Sequence, residues 1–165
     1  MIESLHSPHI ARVKALIGSK GVRERRNEGL FVAEGAQCLK EALSGAPYVR
    51  NLYLTASGRE RIEKADLDIS HVEVTEVSDD VMAAMTTTIT PQGILALCEV
   101  PKLNRELPEI TQAIYLAEIQ DPGNAGTIIR TADAMGIKTI FTSPGSVDAY
   151  SPKVVRATAG SLWHV

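Results

Sequence analysis

The sequence predicts an α/β fold, and three observations carry that expectation. From Leu30 onward, short β-favouring apolar runs alternate with helical patterns of similar length. The stretch Ile119-Gln120-Asp121-Pro122-Gly123-Asn124-Ala125-Gly126-Thr127 ends an apolar run at Pro-Gly and restarts as a helix. Strand-to-helix corners of this kind are where open α/β sheets bind ligands. Composition completes the picture: 165 residues, 44% hydrophobic, 22% charged and only 4% aromatic, enough for one full core or two small units.

Residues 8–18 place Ile10, Val13, Leu16 and Ile17 at helical spacing, with Ser7 as cap, Pro8 in the first turn and Gly18 at the end. The basic stretch 19–28 reads as a loop or a second short helix. Leu30–Ala33 is a strand, and a helix follows from Ala36 to Leu43, closed by Gly45. Residues 49–55 alternate as a half-buried strand. Ser57–Ala65 is a charged amphipathic helix. Val72, Val74 and Val77 mark another β segment, and Ser78-Asp79-Asp80 caps a helix to Met85. The hydroxyl-rich loop Thr86–Pro91 leads into a buried strand from Gly93 to Val100. Two prolines and little periodicity make 101–110 a linker between a first domain, 1–100, and a second, 111–165. In the second, Ile114–Ile119 is a strand, Asn124 caps a helix to Met135, and Ile137–Phe141 is a further strand. Ser151-Pro152 opens a helix that Gly160 ends, and Ser161–Val165 reads as the start of another strand.

No apolar run approaches membrane-spanning length, and residues 1–4 lack the pattern of a signal peptide, so a cytoplasmic protein is expected. Cys38 and Cys98 are isolated and read as free thiols. His6, His9, His71 and His164 lack metal-ligand spacing, so no metal site is expected. Net charge is −3, against a general nucleic-acid binder, but its distribution is uneven. Residues 1–50 hold eight Lys/Arg against five Asp/Glu, and residues 51–110 hold five against eleven. Arg12, Lys14, Lys20, Arg23, Arg25 and Arg26 form a basic stripe, which is either a phosphate-binding surface or a solvated helix face.

Two constellations could carry chemistry. Asn124 at the helix start, with the N–H groups of Ala125, Gly126 and Thr127, offers an anion site, and Arg130 lies nearly two turns along. Lys153 and Arg156 sit three apart on one face of the next helix, ahead of a small Gly160-Ser161 exit that could admit a ligand edge. Neither a Walker nor a Gly-x-Gly-x-x-Gly pattern is present, so ordinary ATP or NAD binding is not supported.

Asp121–Ala134 resembles motif 1, and Ser151–Ser161 motif 2, of the SpoU/TrmH family of RNA 2′-O-ribose methyltransferases in the SPOUT class. The basic N-terminal segment, Glu28–Gly35 and Thr90–Ile94 resemble that family's substrate-binding extension. The resemblance implies an N-terminal L7Ae-like α/β domain followed by the first part of a SPOUT α/β-knot domain. Motif 3, a Leu-Gly-Asn-Glu-like segment, has no counterpart in the chain, so the knot and the S-adenosylmethionine cleft are expected to be incomplete.

By that resemblance the chain methylates a ribose 2′-oxygen of RNA, expected to be ribosomal, with S-adenosylmethionine as donor. Asn124 and Arg130 are then catalytic. Gly160 and Ser161 form a partial cofactor site, and Lys153 and Arg156 join Arg12, Lys14, Arg23, Arg25 and Arg26 in holding RNA. Arg130 is better suited to clamping phosphate and stabilising an alkoxide than to acting as a free base. Deprotonating a guanidinium of pKa above ~12 at neutral pH costs roughly 7 kcal/mol. The family also implies a homodimer, which here could be altered by the incomplete catalytic domain. The alternatives are a non-catalytic RNA-binding module and an unrelated α/β ligand-binding domain.

Overall fold

Leu30–Glu34 (β1), Val49–Leu54 (β2), Val74–Glu76 (β3) and Ile94–Glu99 (β4) form a four-stranded sheet in the order β1-β4-β2-β3 in the computed structural model, which describes residues 1–44, 49–101 and 110–165. β4 is antiparallel to both its neighbours, and β2 and β3 are parallel. Side chains alternate across the sheet, and both faces are covered. Leu30, Val32, Tyr53, Leu95 and Leu97 meet Pro8–Ile17 (α1) and Asp79–Met85 (α5) on one face. Phe31, Ala33, Leu52, Leu54, Ala96 and Cys98 meet Ala36–Ser44 (α3) and Ala56–Lys64 (α4) on the other. The half-buried alternation expected for residues 49–55 is therefore corrected. Asn51 to Leu54 are all buried, because helices lie over both sides.

The stretch 19–28 resolves into a second helix, Gly21–Glu28 (α2). Gly45 and residues 102–109 of the expected linker lie outside the described residues.

Ile114–Leu116 (β5) and Ile140–Thr142 (β6) pair in parallel as a separate two-stranded sheet. Both strands are shorter than expected. β5 stops because Glu118 takes a positive φ of 52° and donates its N–H to Ser143 Oγ. β6 starts late because the chain must first unwind from Pro122–Ala134 (α6): Ile137 N–H still bonds Ala132 C=O. Pro152–Ala157 (α7) packs across α6, with Ala125, Ile129 and Val154 in a small core between them.

The strand expected over Ser161–Val165 is instead a 3₁₀ turn at Ser161–Trp163. Gly160, at φ 103°, turns the chain back, so Leu162 and Trp163 pack against the first sheet rather than extending. The Phe31 ring lies 5.0 Å from that of Tyr150 and 5.9 Å from that of Trp163. Helix α7 also delivers Val155 into the core on that face. Among the described residues no helix is long and apolar enough to cross a membrane.

Candidate functional site

The corner before α6 is built differently from its expected form. The cap is Asp121, not Asn124. The Asp121 carboxylate accepts the N–H of Asn124 at 2.7 Å, and Pro122 fills the first helical position, where a missing N–H costs nothing. The helix thus begins earlier, and Ala125 N–H already bonds Asp121 C=O. The anion site expected at the N–H groups of residues 125–127 is lost to these helical bonds. Gly126 has a packing role instead. It is buried, and a Cβ there would lie 2.4 Å from the Cβ of Ala157. Glycine at this point lets α6 and α7 touch backbone to backbone.

The cap exchange frees the Asn124 side chain. Ala125, Gly126, Ile129 and Ala132 are the buried stripe of α6, while Asn124, Thr127, Arg130 and Thr131 lie exposed. Among the described residues neither the Asn124 side chain nor the Arg130 guanidinium has a hydrogen-bond or ion-pair partner. They stand six residues apart, about 9 Å along the axis at 1.5 Å per residue. An amide and a guanidinium on one solvent-facing helix can hydrogen-bond a hydroxyl and a phosphate together.

Ser151 caps α7 by accepting the Val154 N–H, as its sequence predicts. Lys153 is exposed on this helix. Arg156 instead reaches across to the first sheet's loops. Its Nη1 donates to Thr88 Oγ1 at 3.1 Å and to Thr87 Oγ1 at 3.4 Å, and lies 3.9 Å from Glu34 Oε2. Glu34 in turn accepts the hydroxyl protons of Thr86 and Thr88 and the Thr87 N–H. Between these groups is a cavity of about 350 Å³. Glu34, Thr86, Thr88 and Gln92 were not among the expected site residues. Their signal was the acid beside a glycine at 34–35 and a hydroxyl-rich loop before Pro91, features that acquire a shared wall only on folding.

Gly160 and Ser161, the expected partial cofactor site, lie where the end of α7 meets α3 and α6. Gly160 is buried against α3, where a Cβ would come within 2.5 Å of Glu41 Cγ. Ser161 is partly buried beside Asp133. His164 closes the same region, with Nδ1 2.7 Å from Asp133 Oδ2 and Nε2 3.1 Å from Glu41 Oε2. Hydrogen bonding to Asp133 holds the His164 pKa above its ordinary value, with the Glu41 contact adding to it and partial burial opposing. Partial burial raises Asp133, but the bonds from His164 and Ser161 outweigh it and hold its carboxyl below the usual range.

The basic stripe divides. Arg12 pairs with Glu28 at 2.7 Å, while Lys14, Arg23 and Arg26 are exposed. Lys20, Arg23 and Arg26 line an open groove of about 510 Å³ with Ser19, Val22 and Asn27. Arg25 departs from the expectation that it faces RNA. It is 5% exposed, its Nη2 lies 2.7 Å from Asp148 Oδ2, and its Nη1 donates to the Leu16 carbonyl. At about 100° per residue it stands away from Arg23 and a quarter-turn or more from Arg26, on the side of α2 that meets Leu16 and Asp148.

Comparison with known proteins gives two family matches. Residues 8–96 match the MRM3-like substrate binding domain, and residues 111–165 match the SpoU rRNA Methylase family. The chain is 33% identical over 143 residues to the 23S rRNA (guanosine(2553)-2′-O)-methyltransferase RlmP of Bacillus subtilis, covering 87% of this chain and 55% of that protein. It is 26% identical over 160 residues to human mitochondrial rRNA methyltransferase 3, covering 92% and 37% respectively. Among solved structures, AdoMet-bound rRNA methyltransferase from Sinorhizobium meliloti superposes with a TM-score of 0.81 at 28% identity, over 99% of this chain and 62% of that one. A putative TrmH-family RNA methyltransferase from Porphyromonas gingivalis gives 0.77 at 32%, over 98% and 62%. The chain therefore spans from little more than a third to about three fifths of the length of these relatives. Both matches, the shared mixed α/β fold and the two motif helices agree that the chain belongs to the SpoU family of RNA methyltransferases, with an MRM3-like substrate-binding domain at its N-terminus.

Proposed function

We propose that this chain supplies the RNA-recognition and ribose-side functions of a ribosomal RNA 2′-O-methyltransferase whose methyl donor is S-adenosylmethionine. The observation that carries this reading is the outer face of α6, where Asn124 and Arg130 stand exposed without partners among the described residues, in the middle of the motif 1 match. On this reading Arg130 binds the phosphate beside the target nucleotide and stabilises the negative charge that develops on the 2′-oxygen, with that phosphate within reach to receive the hydroxyl proton. Asn124 orients the ribose. A protonated guanidinium performs both tasks without the roughly 7 kcal/mol cost of deprotonation.

The donor's side is another matter. Gly160 is buried against Glu41 of α3, turned toward the first domain, and we assign this chain no complete methyl-donor site of its own. Calorimetry of this chain with S-adenosylmethionine is expected to give no micromolar binding, and a micromolar isotherm would contradict that assignment.

Substrate RNA would lie along the groove at Lys20, Arg23 and Arg26, extending toward Lys14. Reversing Arg23 and Arg26 together to Glu tests this. RNA affinity should fall, and the slope of log K against log salt should shrink by roughly 1.5. An unchanged slope would reduce the stripe to a solvated face.

Self-association is proposed through the outer face of β5 and β6. Tyr115 and Phe141 are register partners there and are 63% and 42% exposed. A monomer in light scattering at high concentration would refute it. A reducing, cytoplasmic setting accords with the free thiols of Cys38 and Cys98.

A further inference from the structure

We infer that the cavity between the Glu34 turn, the loop of residues 86–92 and α7 is a subsite for one unpaired nucleotide of the RNA, its base inside and its phosphate at the mouth on Arg156. The inference rests on the RNA reading above and adds a second recognition point remote from the basic groove of α2.

The volume, about 350 Å³, falls within the roughly 300–1,000 Å³ of small-molecule sites. Its walls are mixed. Met82 and Ile94 give apolar surface, while Gln92 and the hydroxyls of Thr88 and Thr90 give donors and acceptors. That combination suits a flat, neutral, heteroatom-rimmed body.

Charge sets the orientation. Glu34 is 10% exposed and already accepts from Thr86, Thr87 and Thr88, so it holds the loop rather than seeking a ligand. Its negative charge in the wall repels an anion from the interior. Arg156 is 41% exposed and, among the described residues, uses only Nη1, which leaves guanidinium donors for a phosphate. Ile89, between two lining threonines, is 98% exposed and offers an apolar platform at the rim.

The Cys38 thiol in this cavity is not activated as a nucleophile. Burial pushes the Cys38 thiol up to about 11, with the nearby Glu34 charge adding, so it stays protonated. A base still paired in a duplex cannot enter, whereas a splayed, single-stranded base can.

The test uses the whole chain and a fluorescent RNA hexamer, single-stranded or annealed, with binding read by anisotropy. Wild type should bind the single strand at least tenfold more tightly than the duplex. Thr90→Trp, at an exposed lining position, should fill the mouth, weakening the single strand at least tenfold and the duplex less than twofold. A hexamer carrying 4-thiouridine should photo-crosslink within residues 34–38 or 86–92. This second readout decides alone if Thr90→Trp does not fold by circular dichroism. Unchanged single-strand affinity in the folded variant, or cross-links confined to residues 20–27, overturns the subsite and leaves the RNA reading standing. Failure of wild type to bind either RNA overturns both.

Discussion

Asp121 and Asn124 divide the work at the start of α6: one holds the helix and the other is left to meet a ligand. Replacing an N-cap carboxylate by Ala typically costs about 1 kcal/mol, whereas an exposed side chain with no partner costs less than about 0.5. Asp121→Ala should therefore lower the urea midpoint measurably while Asn124→Ala leaves it in place. The opposite order would restore Asn124 as the cap. The sequence reading places the cap at Asn124, although Asp121, three positions earlier, is also a capping type. What decided between them was Pro122, which fits the first helical position only if Asp121 is the cap. Arg25 shows a different shortfall, a true limit of local reading. It sits between Arg23 and Arg26 in a basic run, and nothing in that run marks it as the one turned inward. Its partner is 123 residues away at Asp148.

At the level of elements, the α6–α7 crossing depends on Gly126. A side chain there has no room, since Ala157 backbone and Cβ atoms lie within 2.4–3.1 Å of the Cβ position. Gly126→Val should cost about 2 kcal/mol by forcing the helices apart. Urea denaturation followed at Trp163, which packs beside this region, measures it, and a loss below about 0.5 kcal/mol would show that the crossing is looser than it is drawn. Helix separation would also shift Arg156 away from Thr88, so RNA affinity should drop with stability. Elements with strong internal signals were legible from sequence: α1 with its Ser-Pro start, α5 with its serine cap, and the buried runs of β1 and β4. Those that misread were governed by distant contacts. β5 and β6 are trimmed by the Glu118–Ser143 bond and by the exit from α6, and the apolar Ser161–Val165 segment turns inward because Phe31 offers it a surface.

At the scale of the whole molecule, three links between charged groups join the methylase region to the four-stranded sheet's unit among the described residues: Arg25 with Asp148, Arg156 with Glu34 and its threonines, and His164 with Glu41. The first is the most buried. Arg25→Met leaves the Asp148 carboxylate without its cation, with the Tyr150 N–H still bonded to it, and the Leu16 carbonyl without its donor, and should cost about 3 kcal/mol in chemical denaturation. Adding Asp148→Leu should recover part of that loss, because no charge is then stranded. The third link gives a pH dependence. A histidine whose pKa is raised on folding stabilises fully below its unfolded value of about 6.5, and that contribution fades as pH climbs through the folded value. The lowered Asp133 acts in the other direction: its contribution is present above about pH 4 and lost on further acidification. The clasp is thus strongest between about pH 4 and 6.5. Melting temperature should decline from pH 6 to pH 8, and His164→Ala should remove much of that decline. An identical pH profile in the variant would remove His164 from the linkage.

The sequence by itself determined the α/β class, most helix boundaries and the family, because periodicity, caps and two long motifs are local properties of neighbouring residues. It also placed Asn124 and Arg130 on one helix, since 3.6-residue periodicity fixes relative position without further information. Only the tertiary structure decided which cations stay free, which glycine serves packing, and that Glu34, the threonine loop and Arg156 share a cavity. Those facts depend on contacts between residues separated by about 50 to more than 120 positions. Such pairings are set by how the helices cover the two faces of the sheet and carry no signature in any single stretch of chain.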